Sequence, residues 1–258
     1  MSVELDHRLE GPVGAPVLML SNSLGTDRGM WDEQLPSLAE HFRVLRYDQR
    51  GHGRSPAPPG PYTIAELAGD ALELLDRLGL DRVLFCGVSM GAMTGMWLAI
   101  NAPGRVERLA LGCTSAHLPP REKWIDRAAT VRARGMNAVV EAQLERWFTP
   151  TLAELRPEVV ERTRRTLLET PPEGYAGCCE AIGSCDLRAE LGSIRAPTLV
   201  LAAADDPATP PEHGRLIADE VGGARFVMLE RARHLAAVER PDEFARAVLG
   251  HLTVEAPA

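Results

Sequence analysis

The sequence predicts an α/β protein, a mostly parallel, doubly wound sheet with helices on both faces, interrupted once by an all-helical insertion. Short runs of β-branched and aliphatic residues at 17–20, 42–47, 83–88, 106–111, 198–203 and 225–229 have the length and composition of buried strands. Longer amphipathic stretches separate most of them, and strands alternating with helices imply parallel pairing through right-handed crossovers. The alternation stops between about residues 115 and 192, where no strand-like run occurs and helical stretches rich in Arg and Glu follow one another.

Each element has a local reason. Residues 63–80 form a crossover helix: Thr63-Ile64-Ala65-Glu66 has the Thr-x-x-Glu form of a capping box, and Gly79 closes the far end. The run at 83–88 leads through a short Gly-bearing turn into a helical pattern over 92–102. In the insertion, Pro119-Pro120, Pro150, Pro157 and Pro171-Pro172 divide the chain into four helical pieces, and Ala196-Pro197 marks the return to the sheet. The expected organisation is a core of residues 1–114 and 193–258 with a helical cap, 115–192, over one end of the sheet. A chain of 258 residues fits one such domain. No repeat or low-complexity tract interrupts it, and 254–258 reads as a loose tail.

Composition narrows the function. A net charge of −8 and a pI near 5.4 repel phosphate backbones and anionic headgroups, so neither nucleic acid nor a membrane surface is an expected partner. The charged start, Met1-Ser2-Val3-Glu4-Leu5-Asp6, lacks the pattern of a secretory signal, and no apolar run approaches the roughly 18 residues of a membrane span. The five cysteines, at 86, 113, 178, 179 and 185, form no Cys-x-x-Cys pair. Reduced thiols in a cytoplasmic protein are the expectation, with no metal site.

The chemistry concentrates at strand ends. Gly87-Val88-Ser89-Met90-Gly91 lies between an apolar run and a helical pattern, the strand-turn-helix setting in which Gly-x-Ser-x-Gly exposes a nucleophilic serine. A serine hydroxyl needs a base to take its proton, and the base needs a third group to orient it. Downstream, Asp205 and Asp206 follow the run at 198–203, and His234 follows the run at 225–229. Carboxyl ends of parallel strands converge on one edge, so Ser89, one of the two aspartates and His234 can meet. Asp48 and His52 precede the serine and suit a loop-holding role better. An oxyanion needs two backbone N–H donors, and Met90, after the nucleophile, and Leu24, after the first run, stand where they should be.

Together these segments resemble the α/β-hydrolase superfamily, and more narrowly the bacterial 3-oxoadipate enol-lactonases. The likeness spans nearly the whole chain outside the insertion and rests on LSNSLGTDRGMW (20–31), YDQRGHGRS (47–55), CGVSMGA (86–92) and DDPATPP (205–211). Many superfamily members carry His-Gly in the oxyanion loop, whereas Asn22-Ser23-Leu24-Gly25 is similar to the enol-lactonase form. The resemblance puts the acid immediately before the proline, which selects Asp206, although Ala203 stands where a glycine is common. It implies hydrolysis of a small anionic lactone by Ser89, His234 and Asp206, without metal or organic cofactor. The substrate's free carboxylate then needs a cation. The insertion offers Lys123, Arg127, Arg132 and Arg134, with Trp124 and Trp147 as apolar walls, and the expectation is that Arg132 or Arg134 binds the carboxylate near Trp124.

Other chemistry on the same fold remains open at this point: a general carboxylesterase, a C–C bond hydrolase or a cofactor-free perhydrolase would use the same three residues. A serine at the elbow disfavours epoxide hydrolases and dehalogenases, which need a carboxylate there. A hydrolase-like binding protein would have little use for all three residues together. Oligomeric state is not legible.

Overall fold

A computed structural model describes residues 2–253; the tail read at 254–258 lies outside the described residues. Seven strands form one sheet in the order β1-β3-β2-β4-β5-β6-β7. They are β1 (His7–Glu10), β2 (Val17–Ser21), β3 (Arg43–Tyr47), β4 (Val83–Val88), β5 (Val106–Gly112), β6 (Thr198–Ala203) and β7 (Arg225–Leu229). All neighbours are parallel except β1, which runs antiparallel to β3 at the edge. Six strands coincide with the apolar runs. The seventh, β1, has the sequence HRLE and is only part-buried, so it carries no hydrophobic run to betray it.

The central strands are buried on both faces, and alternation decides which helix each side chain meets. Phe85 and Leu109, opposite one another on β4 and β5, face Gly95 of α3 (Met90–Asn101). Val88 and Gly112, three residues further on, face Phe244 of α11 (Pro241–Leu252) on the other side. α9 (Pro211–Glu220) packs through Gly214 on Val200 and Ala202, the α3 side. α1 (Leu35–Ala39) joins α11 on the opposite side. The crossover α2 (Ile64–Arg77) begins at a complete capping box between Thr63 and Glu66, and Gly79, at φ +65°, follows its last turn.

Between β5 and β6 the chain forms five helices: α4 (Arg121–Arg134), α5 (Val140–Trp147), α6 (Pro150–Leu155), α7 (Pro157–Glu169) and α8 (Pro172–Ser184). The sequence predicts four because prolines mark only the later breaks; α4 ends instead at Gly135, φ +70°, with no proline nearby. The insertion is seated on the sheet by a contact between backbones. Gly51, φ +76° in the loop after β3, lies against Gly174 in the first turn of α8, and a Cβ on either residue would collide with the other's main chain.

Candidate active site

Four loops meet at the carboxyl edge of the sheet. Ser89 joins β4 to α3 at φ 55°, ψ −116°, a conformation an L-residue holds only where its surroundings enforce it. The enforcement is visible. A Cβ on Gly87 would strike the backbone of Gly91, and one on Gly91 would strike Ser21, so both positions must be glycine for strand, helix and the neighbouring loop to close up. The Ser89 N–H donates to Gly112 O at 2.9 Å, and Thr114 Oγ1 donates to Ser89 O at 2.8 Å.

His234, in the loop after β7, places Nε2 2.9 Å from Ser89 Oγ, and its Nδ1 lies 2.8 Å from Asp206 Oδ2. A carboxylate accepts, so Nδ1 carries the hydrogen and Nε2 is left to accept the serine proton. Asp206, in the loop after β6, is itself anchored: Oδ1 accepts from the N–H groups of Ala208 (2.7 Å) and Thr209 (3.0 Å), and Oδ2 from the Thr209 hydroxyl (2.7 Å). Burial pushes the Asp206 pKa up, but His234 and the Thr209 donors outweigh it and hold the carboxyl below its ordinary value. Asp206 is 3% exposed, whereas Asp205 faces solvent, which separates the two aspartates.

The loop after β2 is held by a polar net. Asn22 accepts from Trp31 Nε1 and donates to Tyr47 O, both at 2.8 Å, and Gln49 Nε2 donates to Asn22 O at 2.5 Å. His52 Nε2 accepts the Gly25 N–H at 2.8 Å while Nδ1 donates to Arg50 O at 3.2 Å. Burial lowers the His52 pKa to about 4, so it is neutral at pH 7 and holds the loop as an acceptor. Among the described residues, neither the Leu24 N–H nor the Met90 N–H donates to another protein group, which leaves both available to a ligand oxygen.

A cavity of about 380 Å³ opens over Ser89 and His234. Trp124 of α4 and Trp147 of α5 are in its wall, with Leu24 and Tyr175. Its cations are Lys123, Arg127 and Arg146. The expected carboxylate ligands, Arg132 and Arg134, are not in the wall, and this corrects the sequence reading. Arg132 is held by Glu173 (2.9 Å to each of two oxygens) and Glu180 (2.6 and 2.9 Å) on the outer side of α8. At 100° per residue it is rotated about 140° from Arg127, and Arg134 lies about 10 Å further along the axis, past the cavity. Arg127 stacks on the Trp124 ring, 4.6 Å from its centroid.

Sequence reasoning missed several neighbours of this site. Thr209 reads as an ordinary turn residue and gives no sign of supporting a carboxylate. Arg146 lies on an amphipathic helix among other charged residues. His213 enters the wall from α9, its Nδ1 2.7 Å from Ser115 Oγ, a pairing of residues 98 positions apart.

Comparison with known proteins agrees with this fold. Residues 16–241 match the α/β hydrolase fold family. The chain belongs to that family. This α/β hydrolase is 39% identical to 3-oxoadipate enol-lactonase 2 of Acinetobacter baylyi, over 95% of the chain and 92% of the relative. The crystal structure of the enol-lactonase from Burkholderia xenovorans LB400 superposes with a TM-score of 0.96 at 46% identity, covering 98% of this chain and 97% of that one. A protein of Stutzerimonas stutzeri named as a carbamate hydrolase, RutD, is 32% identical over 98% of the chain and 96% of its own length. No helix among the described residues is long and apolar enough to cross a membrane. All five cysteines of the hydrolase are buried and without disulfides.

Proposed function

We propose that this α/β hydrolase opens 3-oxoadipate enol-lactone to 3-oxoadipate, the lactone step of aromatic catabolism by the β-ketoadipate route. The observation that carries the reading is the pairing of a serine–histidine–aspartate line with three cations in one small aromatic-walled cavity, in a chain whose enol-lactonase relatives reach 39% and 46% identity. A lactone bearing one carboxylate needs both parts: a nucleophile for the ring carbonyl and a fixed positive charge for the acid.

The mechanism follows from the atoms. Ser89 Oγ attacks the lactone carbonyl as its proton passes to His234 Nε2, and Asp206 stabilises the imidazolium. The developing oxyanion takes the N–H groups of Met90 and Leu24. The acyl carbon–ring oxygen bond breaks, His234 returns the proton to the leaving oxygen, and the enol tautomerises to a ketone. That tautomerisation removes the group that could re-close the ring, so a water activated by His234 attacks the acyl-serine and frees the second carboxylate. Arg127, held over Trp124, is the first choice for the substrate carboxylate, with Lys123 and Arg146 beside it. A charge-assisted contact of this kind contributes about 1.5–3 kcal/mol, roughly a 10- to 150-fold preference for the acid over a neutral ester. The helical insertion acts as the specificity cap.

The reading is tested with a panel of the enol-lactone, its methyl ester, phenyl acetate and a small carbamate. It expects kcat/KM to be highest for the free acid lactone. Faster turnover of phenyl acetate or the carbamate than of the lactone would transfer the protein to that chemistry and leave the hydrolase fold untouched.

A further inference from the structure

The loop that bears His234 is fastened to the helical insertion along its backbone, and one buried carboxylate closes the join. Residues 146–149, at the end of α5 and the start of α6, run beside residues 233–235. The His234 N–H donates to Arg146 O at 3.4 Å and the Leu235 N–H to Trp147 O at 3.2 Å. The Arg233 guanidinium donates to Phe148 O at 3.2 Å and to Glu145 O. Glu239, in the short helix α10 (Ala236–Glu239), lies beneath this seam and is 7% exposed. Its Oε2 accepts the Arg233 N–H at 2.8 Å; its Oε1 accepts the Thr149 N–H at 3.0 Å and the Thr149 hydroxyl.

We propose that Glu239 is a positioning residue for the base: its carboxylate locks the His234 loop to the insertion, so that Nε2 is held on Ser89 only while α5 and α6 are seated. The proposal rests on the reading of His234 as the base that activates Ser89. Three observations favour a positioning role over a general structural one. The carboxylate is buried, yet its described partners are backbone N–H groups and a hydroxyl rather than a cation, so its strong acceptor capacity goes into fixing main chain. One oxygen serves each side of the seam, and on one side the donor is the N–H of Arg233, the residue directly before His234. The other side belongs to the stretch whose Arg146 and Trp147 side chains form the cavity wall. A substrate that presses on those two residues therefore acts on the same body that carries the imidazole.

The chemistry of the join makes it testable at almost constant volume. Both Glu239 oxygens accept, whereas a glutamine has one acceptor and one donor. In Glu239→Gln the amide N–H must face either the Arg233 N–H or the Thr149 donors, and one side of the seam opens. Glu239→Asp keeps two acceptors on a shorter stem, and Thr149→Val removes only the hydroxyl.

The experiment measures melting temperature, kcat and KM for phenyl acetate, and the rate at which a serine-reactive fluorophosphonate labels Ser89, in wild type, Glu239→Gln, Glu239→Asp, Thr149→Val and His234→Ala. None of these readouts uses the lactone, so the substrate assignment can fail without touching this test. The expected result is a Glu239→Gln protein folded at the assay temperature, with kcat lowered tenfold or more, KM within twofold of wild type, labelling slowed by the same factor as kcat, and part of the loss recovered in Glu239→Asp. If Glu239→Gln does not fold, Thr149→Val decides: a fall in kcat matched by slower labelling supports the proposal. Wild-type kcat in folded Glu239→Gln, or in Thr149→Val when that variant decides, overturns it, whatever happens to the melting temperature. Unchanged labelling in His234→Ala would instead overturn the reading of His234 as the base, a separate and recognisable failure.

Discussion

Acidification from pH 7 to pH 5 removes stability from this protein through one residue that takes no part in proton transfer. His52 is buried, about 1% exposed, and its pKa is lowered to about 4 because burial disfavours the charged ring. In the unfolded chain the same imidazole titrates near 6.5. The unfolded state therefore takes up its proton first as pH falls, so the contribution is fully present above pH 6.5 and is lost between pH 6.5 and pH 4. With those two values the loss at pH 5 relative to pH 7 is about 2 kcal/mol, or about 4–8 °C in Tm for a chain of this size. Other groups titrate in the same range, so the comparison is with His52→Gln, whose amide oxygen can still accept the Gly25 N–H but which has no proton to gain. Thermal melts of both proteins at half-unit intervals from pH 4.5 to 7.5 isolate the effect. Wild type is expected to fall more steeply than the variant between pH 6.5 and pH 4.5 and to run parallel to it above pH 7. Parallel curves throughout would refute the claim that His52 is held neutral as an acceptor for the loop after β2.

Two further predictions concern the helical insertion. Arg127→Ala should lower kcat/KM on the enol-lactone by roughly 10- to 150-fold with little effect on a neutral aryl ester, while Arg132→Ala leaves both within about twofold; steady-state kinetics on both substrates checks this, and the reverse pattern would contradict the cavity assignment. Gly51→Ala should destabilise the protein by about 2–3 kcal/mol in urea unfolding, because it combines a left-handed backbone with a collision against Gly174. A loss below about 0.5 kcal/mol would show that α8 is not seated on that loop as described.

What the sequence made legible was local. The apolar runs of β2 through β7 announce themselves, those of the central strands most clearly because strands buried on both faces lack polar alternation, and the capping box at Thr63 is a four-residue signal. Ser89 and His234 stand out as candidates because each follows such a run, and Gly87 is explained by a backbone collision with nearby Gly91, whereas Gly91 itself meets the backbone of Ser21, far away in the chain. The illegible parts depend on distant partners. β1 forms because β3 offers an edge to the antiparallel segment at His7–Glu10, which carries no strand signature of its own. Lys123, Trp124 and Arg127 share one face of α4, but only packing against α8 decides that this face, rather than the one bearing Arg132, meets the cavity. The same holds for Thr149, Arg233 and Glu239, which meet only once the insertion is folded onto the loop after β7.

The most direct test of the account follows the ultraviolet absorbance of the enol-lactone in the presence of wild-type protein and Ser89→Ala. The account predicts rapid loss of the lactone with wild type and a rate lower by a factor on the order of 10⁴ or more in the variant, because removing a triad nucleophile leaves only binding and the oxyanion donors. Lactone consumption by Ser89→Ala within tenfold of wild type would contradict it, since the reaction would then not pass through the serine at the elbow.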